Sequence, residues 1–296
     1  MDANQANIAA LITSTINTLF SNLFSSIDSS LYSILDDLVF IKPDMLNSPY
    51  LSGIIGSSTT SGIILIVNSL VAGFLIYYAM SYLLSHFITY QLQKPYQFIF
   101  RLIVCVVLIN FSYFICEQAL SINSTVSLAI RSFGEDIFGH PICFSALIEN
   151  LNSSIYLNDN SFNVFSIDGL LKGLISFGLL NLVLSYALRY VLIIVFVLLS
   201  PFAFLSLILQ NTAWIFKAWV KMFLSLLLLQ ILVPLILLVS FAFSSNTTDI
   251  FTKLVYIGSI YALMQANNYL RQFMGGLSTD MNVGMSGIGS TFSKNM

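Results

Sequence analysis

The sequence has few charged side chains. Lysine, arginine, aspartate and glutamate make up 8% of its 296 residues, whereas a typical soluble domain has about 25%. From residue 169 to residue 248 there is no carboxylate, and the only charges are Lys172, Arg189, Lys217 and Lys221. Uncharged apolar stretches of this length cross the ~30 Å hydrocarbon core of a bilayer as helices. The composition therefore excludes a water-soluble domain and predicts an all-α, polytopic integral membrane protein.

Patterns that carry catalysis or nucleotide binding are also missing. The two histidines, His86 and His140, lie far apart, and neither belongs to a zinc-binding spacing. The sequence has no glycine-rich loop followed by Lys and Ser or Thr, so the chain alone is not an ATP-driven motor. No cluster of Lys or Arg is suited to neutralising nucleic-acid phosphates. We therefore expect no enzymatic activity, no cofactor or metal, and no direct, sequence-specific binding of nucleic acid.

Cysteine is scarce, and its three positions do not form a disulfide framework. Cys105 and Cys116 fall in a predicted membrane span, and Cys143 lies in the segment after it. Three free thiols are the simpler interpretation. A disulfide between Cys116 and Cys143 is the alternative, because sequence alone cannot place the two side chains.

Lysine and arginine are absent before Lys42, which argues against a cationic secretory signal. From Ile8 to Leu38, apolar residues recur every three or four positions, with Ser, Thr, Asn and Asp between them. This pattern predicts an amphipathic helix outside the cytoplasm. Without cations, attraction to anionic lipids would not hold it on a membrane. A partner helix, an oligomer interface, or its own helical bundle could cover the apolar face.

Hydropathy and polarity divide the chain into five regions. They are an amphipathic helix region at 1–50, two spans at 51–119, a polar acidic extracytoplasmic loop at 120–168, a transmembrane bundle at 169–270, and a flexible Gly-rich tail at 271–296. In the bundle, the apolar run 170–209 would be about 60 Å long as one helix, twice the hydrocarbon thickness. Residues near Arg189 offer no Gly, Pro or Asn for a turn. We therefore predict one long helix that breaks at Pro201, and about five spans in total, with six as the alternative.

The distribution of cations predicts an orientation for five spans. With the N-terminus outside, the cytoplasmic segments contain six cations and the outer segments contain four. The six are Lys94, Arg101, Lys217, Lys221, Arg271 and Lys294. Cytoplasmic loops are normally the richer in Lys and Arg, so the N-terminus is predicted to lie outside the plasma membrane. A six-span arrangement also satisfies the charge count.

A few residues of the bundle are candidates for specific roles. Arg189 is either a cation that faces the bundle interior or a water-filled pore, or a residue that snorkels to the interface. Interfacial anchors are predicted at Trp214, Lys217, Trp219 and Lys221. Helix breaks are predicted at Pro201 and Pro234, and close helix packing at Gly258, Ala262 and Ala266. No carboxylate lies near the middle of a predicted span, since Glu117 falls at the end of the second one. This argues against proton-coupled or sodium-coupled transport.

The segment 189–239 carries a family resemblance. An apolar helix ends in Ser200-Pro201-Phe202-Ala203, and after a short linker Phe216-Lys217-Ala218-Trp219 opens an apolar span that contains Gln230. This pattern resembles the TrbL-type polytopic membrane component of type IV secretion, or conjugative transfer, systems. Many members have a long polar C-terminal extension, which this sequence lacks.

The resemblance implies a non-enzymatic platform or channel subunit in the bacterial inner membrane. It also implies a homo-oligomeric ring that meets other secretion subunits, namely pilus or stalk proteins and secretion ATPases. The alternative is a small-solute transporter or permease subunit, which should show internal repeats and paired broken helices. Pro201 and Pro234 both lie in one half of the chain, so that pairing is missing.

Overall fold

The computed structural model describes residues 3–56, 62–85, 95–156, 166–243 and 250–274. Within these ranges the chain forms helices and no strand, which confirms the predicted all-α class. The helices are α1 (Ala3–Val39), α2 (Pro49–Ile55), α3 (Ile63–Ser85), α4 (Pro95–Phe138), α5 (Phe144–Tyr156), α6 (Ile167–Leu205), α7 (Ala213–Ala242) and α8 (Ile250–Met274). Short 3-10 turns lie at Pro43–Asn47 and Gln210–Thr212.

Four of these helices, α3, α4, α6 and α7, are long and apolar enough to cross a membrane. They correspond to four of the five predicted spans. The fifth predicted span is helical, as α8, but it is not among the four, because polar residues such as Gln265 and Asn268 interrupt its apolar surface. The chain is therefore a polytopic helical membrane protein.

Helix α4 extends well past the predicted end of the second span. The loop expected from residue 120 is wrong, because α4 continues to Phe138 and α5 follows after a short turn. Three polar residues of this stretch, Asn123, Ser124 and Ser127, are buried on the inner face of α4. Ile122 and Val126 point outward instead. With 44 residues, α4 is about 66 Å long at 1.5 Å per residue.

The two prolines predicted to break helices lie inside them instead. Helix α6 continues through Pro201 to Leu205, and α7 continues through Pro234. Proline cannot donate a backbone hydrogen bond to the carbonyl four residues earlier. At Pro201 that carbonyl belongs to Val197, and the Ser200 hydroxyl donates to it instead, at 2.7 Å. This local replacement is one reason that the helix does not end there.

Buried apolar side chains form three clusters that follow one another along α6. The hairpin cluster joins α3 and the first half of α4 to Phe204 and Leu205. The central cluster joins α4 and α7 to Ile193 and Val197. The basal cluster surrounds Leu179 and includes residues of α1, α5, α7 and α8. The core is therefore long and narrow, with its axis along α6.

Helices α3 and α4 form an antiparallel hairpin at one end of this axis. The rings of Tyr78 and Phe98 stack with centroids 3.7 Å apart. Nearer the bundle, Asn68 Nδ2 donates to Asn110 Oδ1 at 3.4 Å. Exposed apolar residues cover most of the remaining surface of α3. This hairpin is therefore built to be surrounded by lipid or by other apolar protein.

Candidate functional site

Arg189 lies in the middle of α6 and is completely buried. Its Nε donates to the carbonyl of Leu226 at 2.9 Å, and its Nη1 donates to the carbonyl of Val39 at 3.3 Å. In the described part of the chain, Nη2 has no hydrogen-bond partner. The guanidinium is thus held by backbone carbonyl dipoles from α1 and α7.

Gln230 extends this group of polar contacts across the bundle. It lies one turn after Leu226 on α7, and its Nε2 donates to the carbonyl of Ile41 at 2.9 Å. Its Oε1 accepts a hydrogen bond from Asn123 Nδ2 of α4 at 3.1 Å. Arg189, Gln230 and Asn123 are all buried, and together we call them the polar layer.

The polar layer caps the C-terminal end of α1. The last carbonyls of a helix have no donors within the helix and carry the negative end of its dipole. Arg189 and Gln230 satisfy the carbonyls of Val39 and Ile41 at this end. A hydrogen bond from a charged donor contributes about 1.5–3 kcal/mol. The layer therefore fastens α1 to α6 and α7 through contacts between residues far apart in sequence.

These contacts decide between the two sequence interpretations of Arg189. A snorkelling side chain would reach the surface, but that of Arg189 has no exposed area. A pore-lining side chain would also be accessible, and that of Arg189 is enclosed by α1, α6 and α7. Among the described residues, Arg189 therefore faces the bundle interior as a structural cation.

A second polar contact joins the last turn of α1 to α5. Asp36 accepts hydrogen bonds from the backbone N–H of Phe144 at 2.9 Å and from the Ser145 hydroxyl at 3.2 Å. This carboxylate therefore caps the positive N-terminal end of α5. Burial raises the pKa of Asp36 above its ordinary value, although these hydrogen bonds and the nearby Arg131 oppose the shift.

Arg131 itself braces the turn between α4 and α5. Its Nε donates to the carbonyl of Ile142 at 2.9 Å. Its guanidinium also lies 4.0 Å from the ring centroid of Phe40, a distance typical of a cation–π contact. The end of α1 is thus bound on one side by the polar layer and on the other by Asp36 and Arg131.

The predicted interfacial anchors divide into two groups. Trp214 is 66% exposed, and Lys217 and Lys221 are exposed beside it. Trp219 is buried in the central cluster, where its Nε1 donates to the carbonyl of Phe196 at 3.0 Å. The anchor prediction is therefore wrong for Trp219. Residues 214, 217 and 221 share one helical face, and residue 219 lies on the opposite face.

The small-residue stripe of α8 is not a line of close contacts within the chain. Ala266 is buried in the basal cluster, Ala262 is half-buried and Gly258 is exposed. Outside the backbone of its own helix, no heavy atom of the described residues lies within 4 Å of the position that a Cβ of Gly258 would occupy. The stripe turns from the core to the surface, and its Gly258 end is open for another molecule to contact.

Thiol and metal chemistry have no assembled site in the described part of the chain. Cys105, Cys116 and Cys143 are buried and free, so the Cys116–Cys143 disulfide is not formed. The described ranges contain no group of three His, Cys, Asp or Glu side chains placed to hold a metal ion.

Comparison with known proteins does not assign the chain to a family. A scan of protein-family models and a search of curated proteins returned no match. The resemblance to TrbL-type components therefore stays a prediction, and the function is inferred from the surface and the contacts of the molecule.

Proposed function

We propose that this chain is a non-enzymatic platform or channel subunit of a type IV secretion machine. In this proposal, several copies form a ring in the bacterial inner membrane. The observation that supports assembly is the height of the apolar exterior, which is about twice the thickness of a bilayer core. The sequence pattern of segment 189–239 supports the choice of machine.

Large exposed apolar side chains occur along nearly the whole length of α4, with exposed polar residues such as Glu135 and Asp136 among them near its end. Exposed apolar side chains occur from Tyr96 to Ile137, which are about 60 Å apart along the helix axis. The hydrocarbon core of a bilayer covers only about 30 Å of this surface. On α6 the exposed apolar side chains extend from Leu170 to Leu199. Large apolar patches are rarely exposed to water. We therefore expect contacts with other protein molecules to bury the apolar surface that the bilayer leaves uncovered.

The four long apolar helices do not stand side by side. Helix α3 packs against the first half of α4 and the C-terminal end of α6 in the hairpin cluster. Helix α7 starts near that level, where Phe216 contacts Phe204. It then runs past the polar layer to the basal cluster, away from α3. One bilayer therefore cannot enclose both α3 and the far half of α7.

Helix α1 offers a surface for assembly. It runs parallel to α6, because Phe24 lies against Gly173 and Val39 lies against Arg189. At this register, residues of α1 before about position 18 extend past the start of α6. This projecting half has the exposed apolar residues Leu11 and Ile12, and exposed Leu19 lies at its edge. There is no charge between residues 3 and 27.

An uncharged apolar face suits contact between copies of the same helix. No like charges would repel when the faces meet, and Ser, Thr and Asn can hydrogen-bond at the edges. The polar layer and the Asp36 contact hold the C-terminal end of each α1 to its own bundle. Copies that joined through α1 would therefore be connected rigidly to their membrane helices.

Cysteine cross-linking tests the assembly. Leu19→Cys places a thiol on the apolar face of α1, and Ser14→Cys places one on the opposite, exposed face as the matched control. In membranes treated with a mild oxidant, Leu19→Cys should form disulfide-linked dimers and Ser14→Cys should not. Equal linking of the two variants, or none, would contradict contact through this face.

Genetics tests the choice of machine. Deletion of the gene from its host should abolish conjugative transfer or protein secretion, and expression from a plasmid should restore it. Uptake of small solutes should be unchanged. A deletion strain that retains transfer and secretion but loses uptake of one solute would favour the permease alternative instead.

A further inference from the structure

A cleft of about 390 Å³ lies between α2, α3 and α4. Its walls are largely apolar and include Ile55, Ile64, Phe111 and Phe114, while Asn110 and Tyr113 contribute polar atoms. We infer that this cleft binds one acyl chain of a membrane phospholipid, with Asn110 donating a hydrogen bond to an ester carbonyl of that lipid. The inference is independent of the secretion function.

The polar atoms of the cleft leave one donor available. The Tyr113 hydroxyl already donates to the carbonyl of Leu46 at 2.6 Å. Asn110 Nδ2 uses one of its two hydrogens to donate to the carbonyl of Val106 at 2.8 Å, and its Oδ1 accepts from Asn68. The second amide hydrogen has no partner among the described residues. A long apolar ligand with one hydrogen-bond acceptor near its end matches this arrangement.

The cleft lies where α3 begins its apolar run. Ile64 is the second residue of α3, a helix suited to cross a membrane. On α2, Tyr50 is 85% exposed and Ile54 is also exposed. Lys42 is exposed shortly before α2. Aromatic, apolar and charged side chains exposed close together are typical of the membrane interface.

The same level carries interface residues on the other side of the bundle. Tyr113 packs against the central cluster, which contains Trp219 at the start of α7. Trp214 and Lys217 are exposed on that same start of α7. At an interface of this kind, the ester groups of phospholipids lie next to the first carbons of their acyl chains. The position and the chemistry of the cleft thus point to the same ligand.

Two glycines shape the cleft at its mouth. Gly56 and Gly62 both have positive φ angles, 95° and 109°. A Cβ on Gly62 would lie 2.6 Å from the Cα of Gly56, so the end of α2 and the start of α3 touch through their backbones. This close approach fixes Ile55 and Ile64 as neighbouring walls of one cleft.

The test uses the full-length protein in nanodiscs that contain a phosphatidylethanolamine with a diazirine on one acyl chain. After illumination, cross-linked peptides are mapped by mass spectrometry. The label should concentrate on residues 110–114 and 55–64. Ile64→Trp fills the cleft and should lower labelling of residues 110–114 at least tenfold. Asn110→Leu, which removes the donor, should lower it about three- to tenfold.

Ile66→Trp is the matched control, because Ile66 is exposed on the face of α3 opposite Ile64. It should leave labelling of residues 110–114 unchanged. Elution from a sizing column checks that each variant is folded. Even labelling along α3 and α4, or equal effects of Ile64→Trp and Ile66→Trp, would overturn the inference. Absence of any lipid label on residues 110–114 would also overturn it, because the cleft would then be filled by another part of the protein.

Discussion

At the scale of single residues, buried polar groups hold the end of α1 in an otherwise apolar bundle. Arg189 has carbonyls as its hydrogen-bond partners in the described part of the chain. Carbonyl dipoles at a helix end can offset much of the cost of burying a cation. The guanidinium also spans two helices, because its rigid fork directs donors to separate acceptors.

Replacing Arg189 should therefore be costly. Arg189→Ala leaves the Val39 carbonyl without its donor and opens a cavity, so unfolding free energy should fall by about 3–5 kcal/mol. Arg189→Lys keeps the charge but loses the planar guanidinium with its several donors. Its unfolding free energy should therefore lie between those of the wild type and Arg189→Ala. Thermal unfolding in detergent measures both. The control is Lys217→Ala at an exposed site, where the change should stay within about 0.5 kcal/mol. An Arg189→Ala variant as stable as this control would contradict the structural role.

Asp36 should make stability depend on pH. Burial raises its pKa in the folded state above the ordinary value of 3.8, so the folded chain holds this proton more tightly than the unfolded chain does. The stabilising contribution of the protonated form is complete below the ordinary pKa and is lost as pH rises through the folded-state pKa.

Asp36→Asn removes this titration. The unfolding free energy of wild type relative to Asp36→Asn should therefore decrease as pH rises above 3.8. Chemical unfolding of the detergent-solubilised protein over a pH series measures this difference. A difference that increases with pH would mean that the hydrogen bonds from α5 lower the pKa more than burial raises it.

At the scale of elements, the two tryptophans on the first turns of α7 should behave differently. A Trp214→Phe variant leaves only the buried Trp219, whose emission should resist quenching by aqueous iodide and by brominated lipid. A Trp219→Phe variant leaves only the exposed Trp214, whose emission should be quenched strongly by at least one of them. Similar quenching of the two variants would contradict the burial of Trp219.

Sequence patterns predicted the long elements better than their contacts. Apolar runs identified α3, α6 and α7, and three-and-four spacing identified α1. The loop predicted from residue 120 was wrong because polarity alone does not tell whether Asn123 faces water or a partner such as Gln230. The prediction that Trp219 is an interfacial anchor was wrong because it rested on residue types alone. It did not consider which face of the helix each residue occupies.

The contacts of Arg189 could not have been predicted from the sequence. Its Val39 acceptor is 150 positions away and is a backbone atom, which leaves no pattern in the sequence. The cleft beside Asn110 could not have been predicted from the sequence either, since its walls come from three helices. What the sequence did indicate was that Arg189 is an uncommon charge in a long apolar helix.

At the scale of the whole molecule, the apolar exterior is too tall for one bilayer to cover. Surface of this kind favours association, and the projecting half of α1 offers a face without charge repulsion. The exposed Gly258 end of the α8 stripe provides another place where helices of neighbouring copies could approach closely. These surfaces support the proposal that the chain is one part of an assembly.

The size of the detergent-solubilised particle is the decisive measurement. One chain has a mass of 32.9 kDa. Native mass spectrometry, in which detergent is stripped from the particle, should give a discrete multiple of this mass, and Leu19→Asp in α1 should shift the distribution toward smaller species. A stable particle of one chain, unchanged by Leu19→Asp, would contradict the proposal that this protein acts as a ring subunit.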